Sequence, residues 1–281
     1  MRRQPVASGL AVGALTVVLV AGFGHGTARD VPPDPGSSAS PISGSSLYAD
    51  VAARMVSART AQFVFSGTGG GEIMSGFGAM RFKGGERYDA DVQLTMPETG
   101  RVRAVLVPAV SYLALPAVKG LPKSRPWLRV PSTPRTSIGK QLGPVVDQLR
   151  AAFDPAQCLG LLRSARRVEE IGPALVEGEP TTHYRAEVDL RRAARAATGP
   201  VREQYVSMLD AGADSLRYDV WVDSTGLPRR YSAELPSGRQ LFSVTGVYRD
   251  WGAAVTIDQP SAKQVFDADK LTDLAGRGRK P

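Results

Sequence analysis

The stretch Leu216–Asp223 reads LRYDVWVD and decides the fold, because its apolar and polar residues alternate. Leucine, tyrosine and two valines fall on one face, while arginine, tryptophan and two aspartates fall on the other. A period of two residues is the pattern of a β-strand with one buried face. The sequence therefore predicts a half-buried strand at this point.

Two further runs with the same alternation follow this strand directly. Ser224–Pro228 supplies turn residues, and its glycine can take a positive φ. Arg230–Leu235 alternates again, Pro236–Gly238 forms the next turn, and Gln240–Tyr248 is the third run. Three consecutive strands joined by short turns predict an antiparallel meander.

The rest of the chain continues the sheet and adds clusters of helices. Alternation or short apolar runs predict strands over Gln62–Ser66, Ile73–Phe82, Arg87–Thr95, Arg101–Val107, Val110–Leu115, Trp127–Val130, Arg167–Ile171 and Thr181–Leu190. Helical spacing predicts helices over Leu47–Arg59, Ile138–Phe153, Asp154–Leu162, Arg191–Ala197 and Val201–Ala211. Clustered helices argue against a doubly wound fold. The predicted fold is α+β, with one large curved antiparallel sheet and helices packed on its concave face.

Charge and composition limit the classes of partner. The chain has 281 residues, 42% of them hydrophobic, and a net charge of +8. Its basic residues are scattered, often next to acidic ones, as in Arg249-Asp250, and no basic helix or zinc-finger spacing is present. We therefore expect no nucleic-acid partner. A basic surface is equally compatible with anionic lipid headgroups or with an arginine-rich composition that serves no partner.

Residues suited to metal binding and nucleophilic catalysis are scarce. Cys158 is the single cysteine, so it forms no intramolecular disulfide and no thiolate metal site. His183 is the one histidine outside the predicted signal segment 1–28, and its place in a strand favours a structural or surface role. Asp89 and Asp91 occupy outward positions of a predicted strand, which favours solvated carboxylates. The sequence thus predicts no metal, no cofactor and no enzyme.

The N-terminus indicates export. Arg2-Arg3 precede the apolar stretch Val6–Phe23, and the small residues Gly26-Thr27-Ala28 follow it. This order is typical of a secretory signal peptide, although the stretch approaches the length of an uncleaved membrane anchor. We expect an extracytoplasmic protein, either secreted or associated with the cell envelope.

These patterns divide the chain into four parts. We predict a signal peptide or N-terminal membrane anchor over 1–28, a Pro/Ser/Gly-rich linker over 29–45, a single domain over 46–268 and a flexible C-terminal tail over 269–281.

Several motifs in this order resemble the LppX/LprG-type envelope lipoproteins of actinobacteria, a family within the LolA-like lipid and lipoprotein carriers. Besides the signal segment, the tether and the first helix, they are Trp127–Val130, Gly178 with Thr182–Tyr184, Asp219–Asp223 with Gly226–Pro228, and Tyr248–Gly252. The resemblance covers roughly Leu47–Val265. It implies a half-barrel sheet around an apolar cavity that holds acyl chains, and it brings no catalytic residues.

The chain departs from that family at the acylation site. Val20-Ala21-Gly22 suit a lipobox, but Phe23 stands where the acylated cysteine belongs. Phenylalanine has no thiol, so no lipid anchor is attached there. The protein is then either secreted free or held by an uncleaved N-terminal segment.

The resemblance implies a lipid carrier whose partners are a lipid or acylated glycolipid, the membrane surface and an envelope transporter or partner protein. Inward strand positions and one helix stripe supply the residues that would line its cavity, although the same residues could form an ordinary core. The candidates are Phe63, Phe65, Met74, Met80, Phe82, Tyr88, Val92, Leu94, Leu142, Val146, Leu149 and Phe153.

Two other functions compete with the lipid carrier. The first is an extracytoplasmic sensor or protein-interaction domain of the same fold, which a small or absent cavity would favour. The second is a secreted hydrolase, which would need His183 as its base. No Gly-x-Ser-x-Gly motif presents a nucleophile, so the sequence argues against the hydrolase.

Overall fold

The computed structural model describes residues 29–30, 42–69, 72–83, 87–96, 100–115, 121–153, 159–237 and 240–270. Its α-helices are α1 (Gly44–Ala58), α2 (Ser137–Ala152), α3 (Leu190–Ala196) and α4 (Gly199–Asp210). Short 3₁₀ turns lie at Leu161–Ser164, Ala262–Gln264 and Ala268–Lys270.

Within the described ranges, thirteen strands form the rest of the regular structure. They are β1 (Arg29–Asp30), β2 (Thr60–Gly69), β3 (Glu72–Phe82), β4 (Tyr88–Met96), β5 (Gly100–Val107), β6 (Val110–Ala114), β7 (Trp127–Pro131), β8 (Ala165–Val176), β9 (Glu179–Asp189), β10 (Ser215–Asp223), β11 (Pro228–Ser237), β12 (Gln240–Arg249) and β13 (Val265–Asp267). Several run longer than predicted, because strand pairing extends through glycine, serine and threonine that the apolar pattern does not mark.

All the strands belong to one curved sheet in the order β1-β8-β9-β10-β11-β12-β2-β3-β4-β5-β6-β7-β13. Every pairing is antiparallel except that of β13 with β7, which is parallel. The predicted meander is confirmed as β10, β11 and β12, and β12 then pairs with β2. The α+β fold with a large antiparallel sheet is therefore confirmed.

The helices all pack on one face of the sheet and divide its interior into two clusters. Val51 and Met55 of α1 and Ala193 of α3 lie in a cluster with the inner residues of β9 and β10. The second cluster, which we call the α2 cluster, joins α2 to the inner residues of β2 to β7 and to Tyr248 of β12. The apolar stripe of each helix thus faces the sheet, as periodicity predicts.

The opposite face of the sheet is partly covered by the chain after β12. Ile257 packs there against Val105, Val110 and Tyr112, and the Tyr112 hydroxyl donates a hydrogen bond of 2.8 Å to Gln259. Arg81 Nη2 donates a hydrogen bond of 3.0 Å to Val255 O of this segment. Asp89, the cross-strand neighbour of Arg81, is buried instead of solvated, and its carboxylate lies 2.8 Å from Lys83 Nζ. The strand pattern placed Asp89 on the correct face but could not show that this face is covered.

Several predictions lie outside the described residues. They include the signal segment with Phe23, most of the linker, Cys158 with the predicted start of a helix at Asp154, and the tail beyond Lys270.

Candidate functional site

All twelve predicted lining residues lie in or against the α2 cluster. Eight of them come from β2, β3 and β4, and four come from α2 and the residue that follows it. Ten are buried, while Met74 and Phe82 are partly buried. Their inward orientation follows from the alternation of the strands and from the helical spacing of the α2 stripe.

Large rings and glycines alternate across the inner face of the sheet. Cross-strand neighbours run from Tyr231 to Gly246, then to Phe65, and then to Gly76. A Cβ atom added at Gly76 would lie 2.5 Å from Cε1 of Phe65, because the phenyl ring leans over the glycine. The glycines therefore leave gaps on the inner face of the strands, and aromatic rings fill them.

Helix α2 covers this face as a single layer. Leu142, Val146, Leu149 and Phe153 point from it into the α2 cluster. The ring of Phe153 lies 5.1 Å from that of Phe65 in an edge arrangement, a favourable aromatic geometry. One helix thus shields most of the apolar interior on this side.

A void of about 10 Å³ lies between the sheet and α2, lined in part by Phe63, Met80, Phe153, Gly246 and Tyr248. Such a space holds at most one water molecule. This void by itself has no room for an acyl chain.

Both ends of α2 are fixed by side chains from distant parts of the chain. Before its first turn, the Asp269 carboxylate accepts hydrogen bonds from Thr136 N at 3.1 Å and Thr136 Oγ1 at 2.9 Å. At its last turn, the Tyr88 hydroxyl donates to the carbonyl of Arg150 at 2.5 Å. Between these anchors Pro144 lies inside the continuous helix and removes one backbone hydrogen bond. The helix is thus pinned at its ends and weakened at its middle.

A cavity of about 250 Å³ lies at the edge of α2, against β6 and β7. Its walls include Val130 and Val146, which also belong to the α2 cluster, so the cavity borders the apolar interior directly. Its rim carries the charged residues Lys140, Asp147 and Arg150, which are spread over about three turns of the helix. The site therefore joins an apolar wall to a charged rim.

The guanidinium of Arg150 is held at this rim by neutral acceptors. Its Nη2 donates to Ser111 Oγ at 2.8 Å, to Val110 O at 3.2 Å and to the Val107 carbonyl. Burial lowers the pKa of Arg150 from its ordinary value, because the charged form loses hydration. Among the described residues, no carboxylate lies within ion-pair distance of this side chain.

Sequence reasoning missed this rim. Arg150 lies off the apolar stripe of α2, so helical spacing gave no reason to single it out. The sequence feature that could have revealed Arg150 is its position four residues after Val146, which puts it at the border of the apolar stripe. The turn between β5 and β6 that supplies its acceptors could not be located from α2 alone.

His183, the one candidate base, lies in a structural setting on the other face of the sheet. Its ring is 1% exposed, stacks on Trp221 at 4.3 Å and has Nε2 2.6 Å from Asp219 Oδ1. Among the described residues, no group of three His, Cys, Asp or Glu side chains could hold a metal ion. No helix in the described ranges is long and apolar enough to span a bilayer.

No protein-family model matches this chain. A curated relative, an uncharacterised 31.2 kDa protein of Streptomyces griseus, is 25% identical over 156 residues. The match covers 53% of this chain and 50% of the relative, so the chain spans about half the length of that protein.

Two solved structures of mycobacterial proteins are similar to the chain. LprF from Mycobacterium bovis aligns with a TM-score of 0.48 at 12% identity, covering 79% of this chain and 100% of LprF. LppX from Mycobacterium tuberculosis aligns with a TM-score of 0.47 at 16% identity, covering 76% of this chain and 99% of LppX. Both are members of the family that the sequence motifs resemble. At these identities and TM-scores the alignments assign no function to this chain.

Proposed function

We propose that the protein is an exported, non-catalytic lipid-binding protein that takes an acyl chain between its sheet and α2. The single observation that carries the proposal is the cavity of about 250 Å³, whose walls Val130 and Val146 continue into the α2 cluster. Small-molecule sites usually measure roughly 300–1,000 Å³, so a long chain needs more room than this cavity offers. We propose that α2 supplies that room by moving away from the sheet.

The free energy gained by burying an acyl chain can offset the cost of moving α2 away from the sheet. Burying an acyl chain contributes about 0.8 kcal/mol per CH₂ group, so about fourteen carbons contribute on the order of 10 kcal/mol before ordering costs. Opening α2 exposes the inward residues Leu142, Val146 and Leu149, and the chain that enters covers them again. The rings of Phe65 and Phe63 lie over Gly76 and Gly78, where β3 has no side chain, and in this proposal they turn aside when the chain enters.

A protein-interaction domain of the same fold is the second candidate function. The void of about 10 Å³ between the sheet and α2 favours it, because this void has no room for an acyl chain. Ile73 and Phe77, which point away from the α2 cluster, are 59% and 53% exposed and could contact a partner. The proposal therefore needs an experiment that separates a lipid cavity from an ordinary core.

Tryptophan substitutions in the α2 cluster make this separation. In the exported protein, Val92→Trp on β4 or Val146→Trp on α2 should abolish uptake of a fluorescent fatty acid, because the indole occupies the space of the chain. The matched control is Val220→Trp on β10, a fully buried position in the other cluster. Overpacking there should cost about 1–3 kcal/mol of unfolding free energy and leave uptake intact.

The three variants are compared by fluorescence titration and by denaturant unfolding. Loss of uptake at Val92 and Val146 with a smaller stability cost than at Val220 supports the lipid site. If the Val92 and Val146 variants lose stability but still take up the probe, these residues are core and the lipid proposal is wrong.

A further inference from the structure

We propose that Arg150, supported by Lys140, binds the anionic group of the lipid, so that the protein selects lipids with a negatively charged head. The inference rests on the proposed function and deepens it. The ligand chemistry is a phosphate or carboxylate group at the cavity rim, with its acyl chain directed between α2 and the sheet.

The first argument is that no carboxylate among the described residues bonds directly to the charged side chain of Arg150. Partly buried cations in proteins are normally paired with an anion, because desolvation of an unpaired charge is costly. Arg150 is half-buried, yet its described acceptors are the neutral oxygens of Val107, Val110 and Ser111. Arginine remains protonated at neutral pH, and the carboxylates of Asp147 and Asp89 favour this charge only from beyond ion-pair distance. No described carboxylate therefore bonds to the guanidinium directly. An anionic ligand would supply that bond.

The second argument is the direction of the remaining donors. All three hydrogen bonds of Arg150 leave from Nη2, and no described residue accepts from Nε or Nη1. Arg150 itself lines the cavity of about 250 Å³. A phosphate or carboxylate oxygen in the cavity can therefore accept from a guanidinium that the β5–β6 turn already holds in place. Charge-assisted bonds of this kind are stronger than neutral ones.

The third argument is the position of the charges relative to the apolar wall. Val146 precedes Arg150 by one helical turn, which is about 6 Å along the axis. A ligand whose anionic group contacts Arg150 thus places the start of its chain at Val146 and Val130. Lys140 lies on the same rim and adds a second positive charge, while Asp147 supplies one negative charge. The rim therefore carries a net positive charge at the entrance to the interior.

The experiment compares two lipids with identical chains on the exported protein. Phosphatidylglycerol carries a negative head, and diacylglycerol carries none. The wild-type protein should bind the anionic lipid more tightly, on the order of tenfold. Arg150→Met should remove this preference while retaining affinity for diacylglycerol, and Arg150→Lys should restore part of it. Free glycerol phosphate should compete with the anionic lipid alone.

Each outcome bears on one of the two proposals. If both lipids bind equally to the wild-type protein, or if Arg150→Met retains the preference, the anionic selectivity is wrong and the lipid-binding function survives. If neither lipid binds, the proposed function itself is wrong. Binding of glycerol phosphate without uptake of either lipid would overturn the lipid as the source of the anion.

A second variant tests the proposal in case Arg150→Met disturbs folding. Arg150→Met removes donors from three acceptors, and its folding is checked by circular dichroism and thermal unfolding. Lys140→Glu reverses a charge at an exposed position of the same rim. It should lower the preference for the anionic lipid several-fold at low salt, with less effect at high salt, since exposed charges are screened. An unchanged preference in the folded Lys140→Glu protein contradicts the proposal.

Discussion

The carboxylate of Asp223 organises the turn between β10 and β11. Its Oδ1 accepts hydrogen bonds from Thr225 N at 2.9 Å, Thr225 Oγ1 at 2.6 Å and Leu227 N at 3.1 Å. Its Oδ2 accepts from Arg229 Nε at 2.7 Å. Burial alone would raise the pKa of Asp223, but these hydrogen bonds outweigh it and hold the pKa below its ordinary value.

Asp223→Asn should therefore destabilise the protein in a pH-dependent way. Because the folded-state pKa is depressed, the carboxylate stabilises the fold above its unfolded pKa of about 3.9, and this contribution is lost as the pH falls through the folded-state value. At neutral pH we expect a loss of about 1–3 kcal/mol in unfolding free energy. The difference between wild type and variant should shrink below about pH 4, as measured by urea unfolding at several pH values.

Asp210→Asn, at an exposed position at the end of α4, is the matched control. It should change the unfolding free energy little at any pH, as surface substitutions generally do. A constant difference between Asp223→Asn and wild type down to pH 2 would contradict the role assigned to the charge.

Single residues also show where sequence reasoning ends. Alternation placed Phe63, Val92 and Leu94 correctly, because the direction of a strand side chain depends only on local register. The environments of Asp89 and Arg150 depend on segments far away in the chain, the one after β12 and the turn between β5 and β6. Their burial therefore could not be read from the residues around them.

At the level of elements, the strands were easier to predict than the behaviour of α2. The meander of β10, β11 and β12 follows from short turns, which leave adjacent strands no alternative to antiparallel pairing. The stripe of α2 predicted that the helix would pack on the sheet, and it does. Whether α2 stays on the sheet depends on the stability of the helix itself, which Pro144 lowers.

Pro144→Ala should strengthen α2 and slow lipid uptake. The substitution restores a backbone N–H inside the helix, where proline costs about 3 kcal/mol relative to alanine in a regular helix. We expect the unfolding free energy to rise by about 1–3 kcal/mol and the uptake rate to fall several-fold. Stopped-flow fluorescence with a fatty-acid probe measures the rate, and denaturant unfolding measures the stability.

Gly143→Ala is the control for a general effect of helix stability. An added Cβ at this position would meet Pro134 Cγ at 3.7 Å, an ordinary contact, so the substitution should stabilise α2 by about 0.5–1 kcal/mol. It leaves Pro144 and its missing backbone hydrogen bond in place. If both variants slow uptake in proportion to their stability, Pro144 has no special role in the movement of α2 away from the sheet.

On the scale of the whole molecule, the last described residues of the chain anchor α2, the helix that covers the apolar interior. After β12 the chain crosses the sheet, adds β13 in parallel to β7, and places Asp269 before the first turn of α2. The residues Thr136 and Asp269 are 133 positions apart. No local pattern predicts such a contact, and the sequence instead predicted a flexible tail from residue 269.

Asp269→Ala should release the first turn of α2 without weakening the sheet. A carboxylate before a helix stabilises it by accepting from free N–H groups and by opposing the helix dipole. We expect amide hydrogen exchange in α2 to accelerate on the order of tenfold, while exchange in Glu179–Asp189 stays unchanged. Mass spectrometry of peptides from both regions measures the two effects in one experiment.

Asp258→Ala, at an exposed position in the same segment, serves as the control and should leave both regions unchanged. The anchoring explanation also predicts that Asp269→Ala takes up the fatty-acid probe faster, because α2 opens more often. Equal acceleration of exchange in α2 and in the sheet would mean that Asp269 supports the whole fold. In that case α2 would not move as a separate layer, and the route proposed for the acyl chain would lose its basis.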